Sequence, residues 1–574
     1  MKLSSLLSDG MVLQREAENK IWGTEAEGQV SVSVLSGEAV IFAGEPASFA
    51  DGSFEFLLPP LPAGGPYEIR ISDACGVRVI RDVLSGDVFL LAGQSNMELP
   101  VRRTLDLTAD YVKTADDPLI RAFEVPKRAE FHGPVSDLYE GAWKKATQEN
   151  LYEFSALGFF FAEKVRRDEG VPVGLLETAL GGIQIEALIP EERLLAAARE
   201  LIAAAEARGE SKEKDGVLSG NHYNAFFYKD AVQLDKDDAY IDATLAREAR
   251  KNAEFYRFLD ETDNGRKNHW EAENSLFGAG EKARYLAVPG LWETLPEYPE
   301  LESLRGSVWV LKRFEVPERM AGRAAKMVLG TVIDADETYL NGTLIGRTEY
   351  RYPPRRYPVP EGILRKENTL TVRVKALGRA GGFVPEMPYF LEFEGVRIPL
   401  SGPWEWRIGT NLYEDGKKKY PGISLPEDTF FNYRPSGIYN AMIHPLRRLR
   451  VKAMLFYQGE SNTLFSQDYG FLMELMAGSV RDCFEAPDLP IVFAELPYFG
   501  HEDDERETDN WDRLRAAQER AAAVIPHCSL ADLYDLGQRY ELHPQNKCEA
   551  AARMYEAYRK LVEAPESVDN VQQS

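Results

Sequence analysis

The sequence predicts an α/β protein whose parallel sheet is built from two separate segments of the chain. Residues 88–92 are continuously apolar, and a second buried strand is predicted in the stretch that ends at Gly181 and Gly182. Continuous apolarity is typical of strands that are covered on both faces, as in a parallel sheet. A helical pattern at residues 154–170 separates them, which gives the strand, helix, strand order of an α/β fold.

The regions before and after this first α/β segment have different patterns. Residues 1–85 contain short apolar or alternating runs separated by Gly, Pro and Asp, which predicts an N-terminal β-sandwich. Residues 86–190 form the first part of the α/β domain. Residues 191–279 are rich in Ala, Leu and Glu at helical spacing, which predicts a mainly helical insertion with a charged, solvated face.

A second β-rich insertion is predicted at residues 280–432. Asn341-Gly342 lies there between apolar runs, and this pair favours a type I′ hairpin because both positions need a positive φ. The α/β pattern resumes at residues 433–564, so the α/β domain is discontinuous in sequence. Residues 565–574 are polar and predict a flexible tail.

Charge and composition exclude several classes of partner. The chain has 67 Lys and Arg against 92 Asp and Glu, a formal net charge of −25. Such a surface repels phosphate backbones and anionic lipid headgroups, so we expect no nucleic acid and no membrane as partner. It also disfavours anionic substrates unless the site has its own basic groups. The first residues do not resemble a secretory leader, and no apolar run is long enough to span a membrane, so a cytoplasmic protein is expected.

The four cysteines, Cys75, Cys483, Cys528 and Cys548, include no CxxC pair. They predict neither a disulfide framework nor a zinc site, and we expect them to be small buried apolar residues.

Two strand ends carry residues suited to acyl transfer. Ser95 follows a buried strand directly, where a nucleophile's hydroxyl and backbone N–H would both be presented above the sheet. Its neighbours Gln94 and Asn96 are candidate substrate-binding residues, although a serine in such a loop is also a common helix cap. Gly181 and Gly182 permit close backbone approach to a ligand and supply unhindered N–H groups, although glycine pairs are also ordinary turn formers.

A third strand end, at residues 457–462, supplies polar side chains. Gln458, Glu460 and Asn462 follow a buried strand, and an amide donor there would complete an oxyanion hole. A polar loop without a catalytic role is the alternative.

A serine nucleophile needs a general base, and histidine is the usual one. His543 is the best candidate among the seven histidines, because it lies between the last predicted strand and helix. Glu541, two residues earlier, could hold its ring. His444 is the second candidate.

Several motifs together resemble the sialate O-acetylesterase family of the SGNH hydrolases. In chain order they are LSDGMVLQR at 7–15, GDVFLLAGQSNMELP at 86–100, PVGLLETALGGIQIEAL at 172–188, PSGIYNAMIHPLRRLRVKAMLFYQGESN at 435–462 and ELHPQNK at 541–547. The resemblance implies an SGNH-type (flavodoxin-like) three-layer α/β/α catalytic domain. The β-rich insertion is similar to a jelly-roll insertion of longer members, which in turn resembles sugar-binding modules of glycosidases.

The resemblance also implies roles for the candidates. Ser95 is the nucleophile and His543 the base. The backbone N–H of Ser95, that of Gly181 or Gly182, and the Gln458 amide form the oxyanion hole, with Glu460 and Asn462 as neighbours. No metal or organic cofactor is implied.

This chain departs from the family pattern at two places. Glu541 stands where the family usually has Asp, so Asp535 is an alternative third triad member. Leu180 and Ile183 flank the glycine pair where the family usually has Trp and Thr, which leaves the substrate open.

The expected function is therefore a serine esterase that removes O-acetyl groups from carbohydrates, in the manner of a sialate O-acetylesterase. The expected partner is an acetylated mono- or oligosaccharide, and a homo-oligomer is compatible with the sequence. Three alternatives stay open: an acetylxylan or acetylmannan oligosaccharide esterase, a glycan-binding protein with an inactive hydrolase core, and a glycoside hydrolase, which would need paired carboxylates.

Overall fold

The structure is a computed structural model in which two compact units are recognised. The first unit comprises Met1–Ile241, Phe430–Gly537 and His543–Ser574, and the second comprises Asp242–Thr429 and Gln538–Leu542. The residues described are 1–48, 51–207, 228, 230–378, 381–414, 417–420, 422–500 and 505–563. The predicted tail at 565–574 and part of the predicted helical insertion lie outside them.

A seven-stranded path of mainly parallel strands forms the centre of the first unit. Its strands are β1 (Gly76–Gly93), β2 (Asp117–Glu124), β3 (Trp143–Ala146), β4 (Val173–Glu177), β5 (Ala453–Tyr457), β6 (Ile491–Ala494) and β7 (Cys528–Ala531), in the spatial order β3-β2-β4-β1-β5-β6-β7. All neighbours are parallel except β3, which is antiparallel to β2. The mixed α/β class predicted from the sequence is confirmed.

The register brings three strand ends together at the middle of this sheet. Gly93 at the end of β1 pairs with Tyr457 at the end of β5, and Glu177 at the end of β4 pairs with Leu91 of β1. In a parallel sheet, loops that follow such ends lie side by side and are the usual place for a binding site.

The helices of the described residues are α1 (Ser95–Glu98), α2 (Leu105–Val112), α3 (Ala156–Glu169), α4 (Glu191–Ala207), α5 (Asp238–Thr262), α6 (Asn264–Lys267), α7 (Pro299–Glu302), α8 (Tyr469–Cys483), α9 (Glu505–Val524) and α10 (Lys547–Glu563). None of them is long and apolar enough to cross a membrane.

Helices α3 and α10 pack together over β1. The Oγ of Ser155 caps α3 by accepting a hydrogen bond from the Gly158 N–H (3.1 Å). Phe89 of β1 contacts Phe161 of α3 and Tyr558 of α10, with ring centroids 5.0 and 5.5 Å apart. These edge-on aromatic contacts hold the two helices against the strand that ends at the candidate nucleophile.

The N-terminal region is β-rich, and its arrangement as a β-sandwich stays a prediction. Its strands are Lys2–Leu3, Val12–Gln14, Asn19–Thr24, Gln29–Ser36, Ala39–Ala43, Ala47–Ser48, Phe54–Leu58 and Gly64–Asp73. The first part of β1 pairs with Gly64–Asp73, and Val12–Gln14 also pairs with β1. One 18-residue strand therefore belongs to both the N-terminal region and the central sheet.

The second unit consists mainly of antiparallel sheets. A six-stranded sheet has the order Tyr285–Val288, Gly402–Asn411, Gly306–Glu315, Glu367–Ala376, Ala335–Leu340, Thr343–Thr348, and a four-stranded sheet has the order Arg356–Val359, Ala325–Leu329, Tyr389–Phe393, Val396–Pro399. Shorter strands are Gly290–Leu291, Val332–Ile333, Gly382–Phe383, Tyr413–Glu414 and Lys417–Lys418. The predicted hairpin is confirmed, because Asn341 and Gly342 have positive φ and join paired strands.

All four cysteines lie within the described part of the chain, and each is a free thiol. The expectation that all four are buried is wrong for Cys75 and Cys548, which are exposed.

Candidate active site

The candidate nucleophile begins a helix directly after β1. Gly93 has a φ of +131°, and a Cβ at this position would overlap the carbonyl of Tyr457, so only glycine fits. The Gln94 N–H donates to the Tyr457 carbonyl (2.9 Å) and fixes the turn to β5. Ser95 is half-buried at the first position of α1.

The structure brings Ser95 and His543 together. His543 Nε2 lies 2.7 Å from Ser95 Oγ, although the two residues are 448 positions apart in sequence. This distance is that of a nucleophile and its general base in hydrogen-bond contact. The predicted pair is therefore geometrically competent for proton transfer.

The surroundings of His543 keep its ring neutral. Burial lowers the pKa of His543 to about 3, and the positive charges of Arg103 and Lys547 act in the same direction. Above that pKa the imidazole has a lone pair with which to accept a proton, as a general base needs.

The side-chain amides of the loop after β5 (residues 458–462, the β5 loop) and of Gln94 are hydrogen-bonded to one another. Gln458 Nε2 donates to Asn462 Oδ1 (2.7 Å), to Gln94 Oε1 (3.1 Å) and to the Ile183 carbonyl (3.1 Å). Asn462 Nδ2 in turn donates to the Glu186 carboxylate (2.9 Å). Both side chains are fully buried, so this network fixes three loops relative to each other. The predicted role of Gln458 as an oxyanion donor stays a prediction.

Asn96 lies between two buried charges. Lys547 Nζ donates to Asn96 Oδ1 (2.6 Å), and Asn96 Nδ2 donates to Glu460 Oε1 (2.6 Å). Burial raises the pKa of Glu460, and the Asn96 hydrogen bond and the Lys547 charge counteract this. The three side chains connect α1, the β5 loop and α10 around the candidate nucleophile.

The glycine pair lies beside α1. The Gly181 N–H donates to Glu98 Oε2 (2.5 Å). A Cβ on Gly181 would lie 3.5 Å from Ser95 Cβ, so this turn is next to the nucleophile. Gly182 has a φ of +79° and faces the Tyr433 hydroxyl so closely that a Cβ would overlap it.

The two candidates for the third triad member have different surroundings. Glu541 belongs to the second unit and is buried, and Thr331 Oγ1 of the same unit donates to its Oε2 (3.0 Å). Asp535 is mostly exposed in the first unit and binds the guanidinium of Arg553. Neither contact tests which residue holds the His543 ring.

His444 was the second candidate for the general base. Its Nδ1 lies 2.9 Å from the Val135 carbonyl, so this ring nitrogen does not contact Ser95. Among the other histidines, His132, His269 and His527 are each next to a carboxylate, of Asp238, Glu271 and Asp488 respectively. His222 and His501 fall outside the described residues.

Sequence reasoning missed four residues of this site. Glu98 and Lys547 stand inside the motifs that carry the family resemblance, and a charged residue in a motif beside a nucleophile was a usable signal. Glu186 also stands inside one of these motifs, whereas Tyr433 had no local signal, because only the fold brings it to the loops. Within the described ranges, no group of three or more His, Cys, Asp and Glu side chains is arranged to hold a metal ion.

The two sheet-forming segments match a known family. Residues 85–219 and 428–560 match the family described as "Carbohydrate esterase, sialic acid-specific acetylesterase". The resemblance predicted from the motifs is thus confirmed for these segments, which contain Ser95, the glycine pair, the β5 loop and His543.

Individual proteins similar to this chain are sialate O-acetylesterases. The human sialate O-acetylesterase is 30% identical over 199 residues, and the mouse sialate O-acetylesterase is 29% identical over 203 residues. Each match covers 32% of this chain, and it covers 38% of the human and 37% of the mouse protein. The chain therefore spans well under half the length of these curated relatives.

One solved structure is similar over nearly the whole chain. A crystal structure of a carbohydrate acetylesterase from Xanthomonas citri covers 98% of this chain and 76% of its own, with a TM-score of 0.52 and 21% identity. At this identity the likeness concerns the fold.

Proposed function

We propose that this relative of the sialic acid-specific acetylesterases is a serine esterase that removes O-acetyl groups from carbohydrates. The observation that carries the proposal is the 2.7 Å contact between Ser95 Oγ and His543 Nε2 at the end of β1. Such a pair can transfer an acyl group without a metal or an organic cofactor.

In the first step, Ser95 Oγ attacks the acetyl carbonyl carbon while its proton passes to His543 Nε2. The carbonyl π electrons move to the oxygen and give a tetrahedral oxyanion. The C–O bond to the sugar then breaks, and the leaving alkoxide takes the proton from the His543 imidazolium. The products are the free sugar hydroxyl and an acetyl-Ser95 ester.

In the second step, water attacks the acetyl-enzyme and gives its proton to His543 Nε2. The second tetrahedral intermediate collapses to acetic acid, and Ser95 regains its proton from His543. The lowered pKa of His543 keeps the imidazole neutral at the start of each step, but it also makes the ring a weaker base.

We assign the oxyanion contacts to the backbone N–H groups of Ser95 and Gly182. Gly181 and Gln458, also predicted for this role, donate to Glu98 and to Asn462, Gln94 and Ile183. They would have to exchange these acceptors for the substrate oxygen.

We also propose the SGNH-type three-layer arrangement for the first unit and a jelly roll for the second. The parallel strand path with helices α3 and α10 over β1 supports the former. The paired antiparallel sheets support the latter.

The substrate is an O-acetylated sugar. The family description favours an acetylated sialic acid, and Arg103 beside His543 offers a cation for its carboxylate. The net charge of −25 instead favours neutral acetylated xylo- or manno-oligosaccharides. The predicted cytoplasmic location stays a prediction, under which short oligosaccharides would be the substrates.

Acetate release from these three substrate classes tests the proposal. We expect release from at least one of them by the purified protein, and a loss on the order of 10⁴-fold or more in Ser95→Ala. Equal release by wild type and Ser95→Ala would contradict it, as would inactivity on all three classes and on p-nitrophenyl acetate. Circular dichroism of the variant controls for folding.

A further inference from the structure

A carboxylate lies on one of the candidate oxyanion donors. Glu98 is the last residue of α1, three positions after Ser95, and its Oε2 accepts the Gly181 N–H at 2.5 Å. A Cβ on Gly181 would lie 2.9 Å from this oxygen and 3.5 Å from Ser95 Cβ. Glu98 is therefore close to the place where negative charge develops during attack by Ser95.

Lys127 holds the other oxygen of this carboxylate. Its Nζ lies 2.6 Å from Glu98 Oε1 and 3.0 Å from Glu124 Oε1. Glu124 ends β2 and pairs in register with Glu177, which ends β4. Glu98, Glu124, Lys127 and Glu177 line a cavity of about 100 Å³, together with Arg102 and Glu153.

Charge complementarity supports a specific task for Lys127. Burial lowers its pKa, but the Glu98 and Glu124 carboxylates raise it more, so the net pKa of Lys127 is raised. A bare carboxylate beside the nucleophile would oppose the oxyanion, whereas a neutralised one can still accept the Gly181 N–H.

We propose that Lys127 is a positioning residue that acts through Glu98: it neutralises this carboxylate and keeps it on the Gly181 N–H, which fixes the glycine turn beside Ser95. This inference rests on the proposed esterase mechanism. Gly182 is then the member of the pair left to face the substrate oxygen, since Gly181 is used to hold the turn.

A double-mutant comparison tests it. Lys127→Met leaves the Glu98 charge uncompensated, and we expect kcat to fall on the order of tenfold with little change in KM. Glu98→Gln removes the charge but retains an oxygen for the Gly181 N–H, so we expect a loss of about threefold or less. The double variant Glu98→Gln/Lys127→Met should recover to the level of Glu98→Gln.

This recovery distinguishes the proposal from a merely structural ion pair. If the pair only stabilised the fold, the two single variants would lose the same activity and the double variant would recover none, which would overturn the proposal. Lys113→Met is the matched control, because Lys113 is an exposed lysine that pairs with Asp110 within three residues.

Glu98→Ala extends the test if Lys127→Met does not fold. A positioning role requires slower turnover, because the Gly181 N–H loses its acceptor. Faster turnover would instead show that Glu98 blocks the oxyanion site, and it would overturn the proposal.

A second readout separates this inference from the proposed function. The rate at which a fluorophosphonate labels Ser95 depends on the nucleophile and the oxyanion donors but needs no acetylated sugar. Slow labelling of Lys127→Met, with faster labelling of Glu98→Gln and of the double variant, supports the inference even if every sugar tested is inert. Equal labelling by all variants overturns it even if sugars are deacetylated.

Discussion

Each unit contains a buried network of charged side chains, but the two networks differ in what they hold. In the first unit, Lys547 and Glu460 enclose Asn96, the residue that follows Ser95. In the second unit, Arg373 Nε binds Asp263 at 2.8 Å with both side chains fully buried. Asp263 also accepts hydrogen bonds from Ser307 Oγ and Trp309 Nε1.

The comparison teaches that buried charge alone does not mark an active site. The Asp263 network joins the start of α6 to two neighbouring strands, and Asp260 and Glu337 also pair with Nη1 of Arg373. The Lys547 network instead borders a hydroxyl and an imidazole in contact. What distinguishes the Lys547 network is the nucleophile and the base that lie next to it.

Among the substitutions that test this comparison, the largest effect on kcat is expected at Glu541. Its contact with Thr331 belongs to the second unit, whereas its predicted role is to orient His543. Glu541→Gln keeps the shape of the side chain, and we expect kcat for p-nitrophenyl acetate to fall on the order of 10²-fold or more. Asp535→Asn, the matched control at an exposed site, should change kcat by less than about threefold. The reverse order would assign the third triad position to Asp535.

Asp263→Ala should affect stability rather than chemistry. The Arg373 guanidinium still pairs with Asp260 and Glu337. The buried donors of Ser307 and Trp309 lose their acceptor, however, which costs about 1–3 kcal/mol in free energy of unfolding. Denaturant unfolding measures this loss, while kcat of the folded fraction should stay at the wild-type value. A tenfold lower kcat in fully folded protein would show that this network also serves the chemistry.

Lys547→Met should lower both stability and kcat, with a smaller effect on kcat than Glu541→Gln. It removes the partner of a buried carboxylate and one of the charges that lower the pKa of His543. We therefore expect a kcat loss of roughly tenfold and a lower Tm. The pH profile is the specific readout: the acid limb of kcat/KM should move to higher pH than in wild type. Lys560→Met, in the last turn of the same helix, is the control.

In the wild type, the lowered pKa of His543 also predicts how the free energy of unfolding depends on pH. His543 has a pKa of about 3 when folded, against about 6.5 in the unfolded chain. As pH falls below 6.5, the unfolded state binds a proton that the folded state refuses, so stability falls between pH 6.5 and about 3. His543→Gln should remove this contribution, and thermal unfolding across that range measures it. An unchanged slope in the variant would contradict the low pKa.

Much of the candidate site could be predicted from the sequence. The continuous apolar run that ends at Gly93 located the end of β1, whereas β4 ends at Glu177, four residues before the predicted end at Gly181. Ser95 was predicted from its place after a strand, and His543 from its place in the loop before the last helix. The partners of the amides could not be predicted, because they depend on side chains from distant loops. Gln458, for example, binds Gln94 and Asn462, and Glu98 binds Gly181. Nor did local patterns show that residues 538–542, just before His543, group with the inserted β unit.

The long strand β1 has a consequence for dissecting the molecule. Its first half completes the N-terminal sheet, and its second half ends at the turn that presents Ser95. Cutting away the first 75 residues would expose an unpaired strand edge and also remove the Arg15 partner of Asp87. The N-terminal region is therefore not a detachable module, and a shortened protein that begins near β1 should aggregate rather than work as a smaller enzyme.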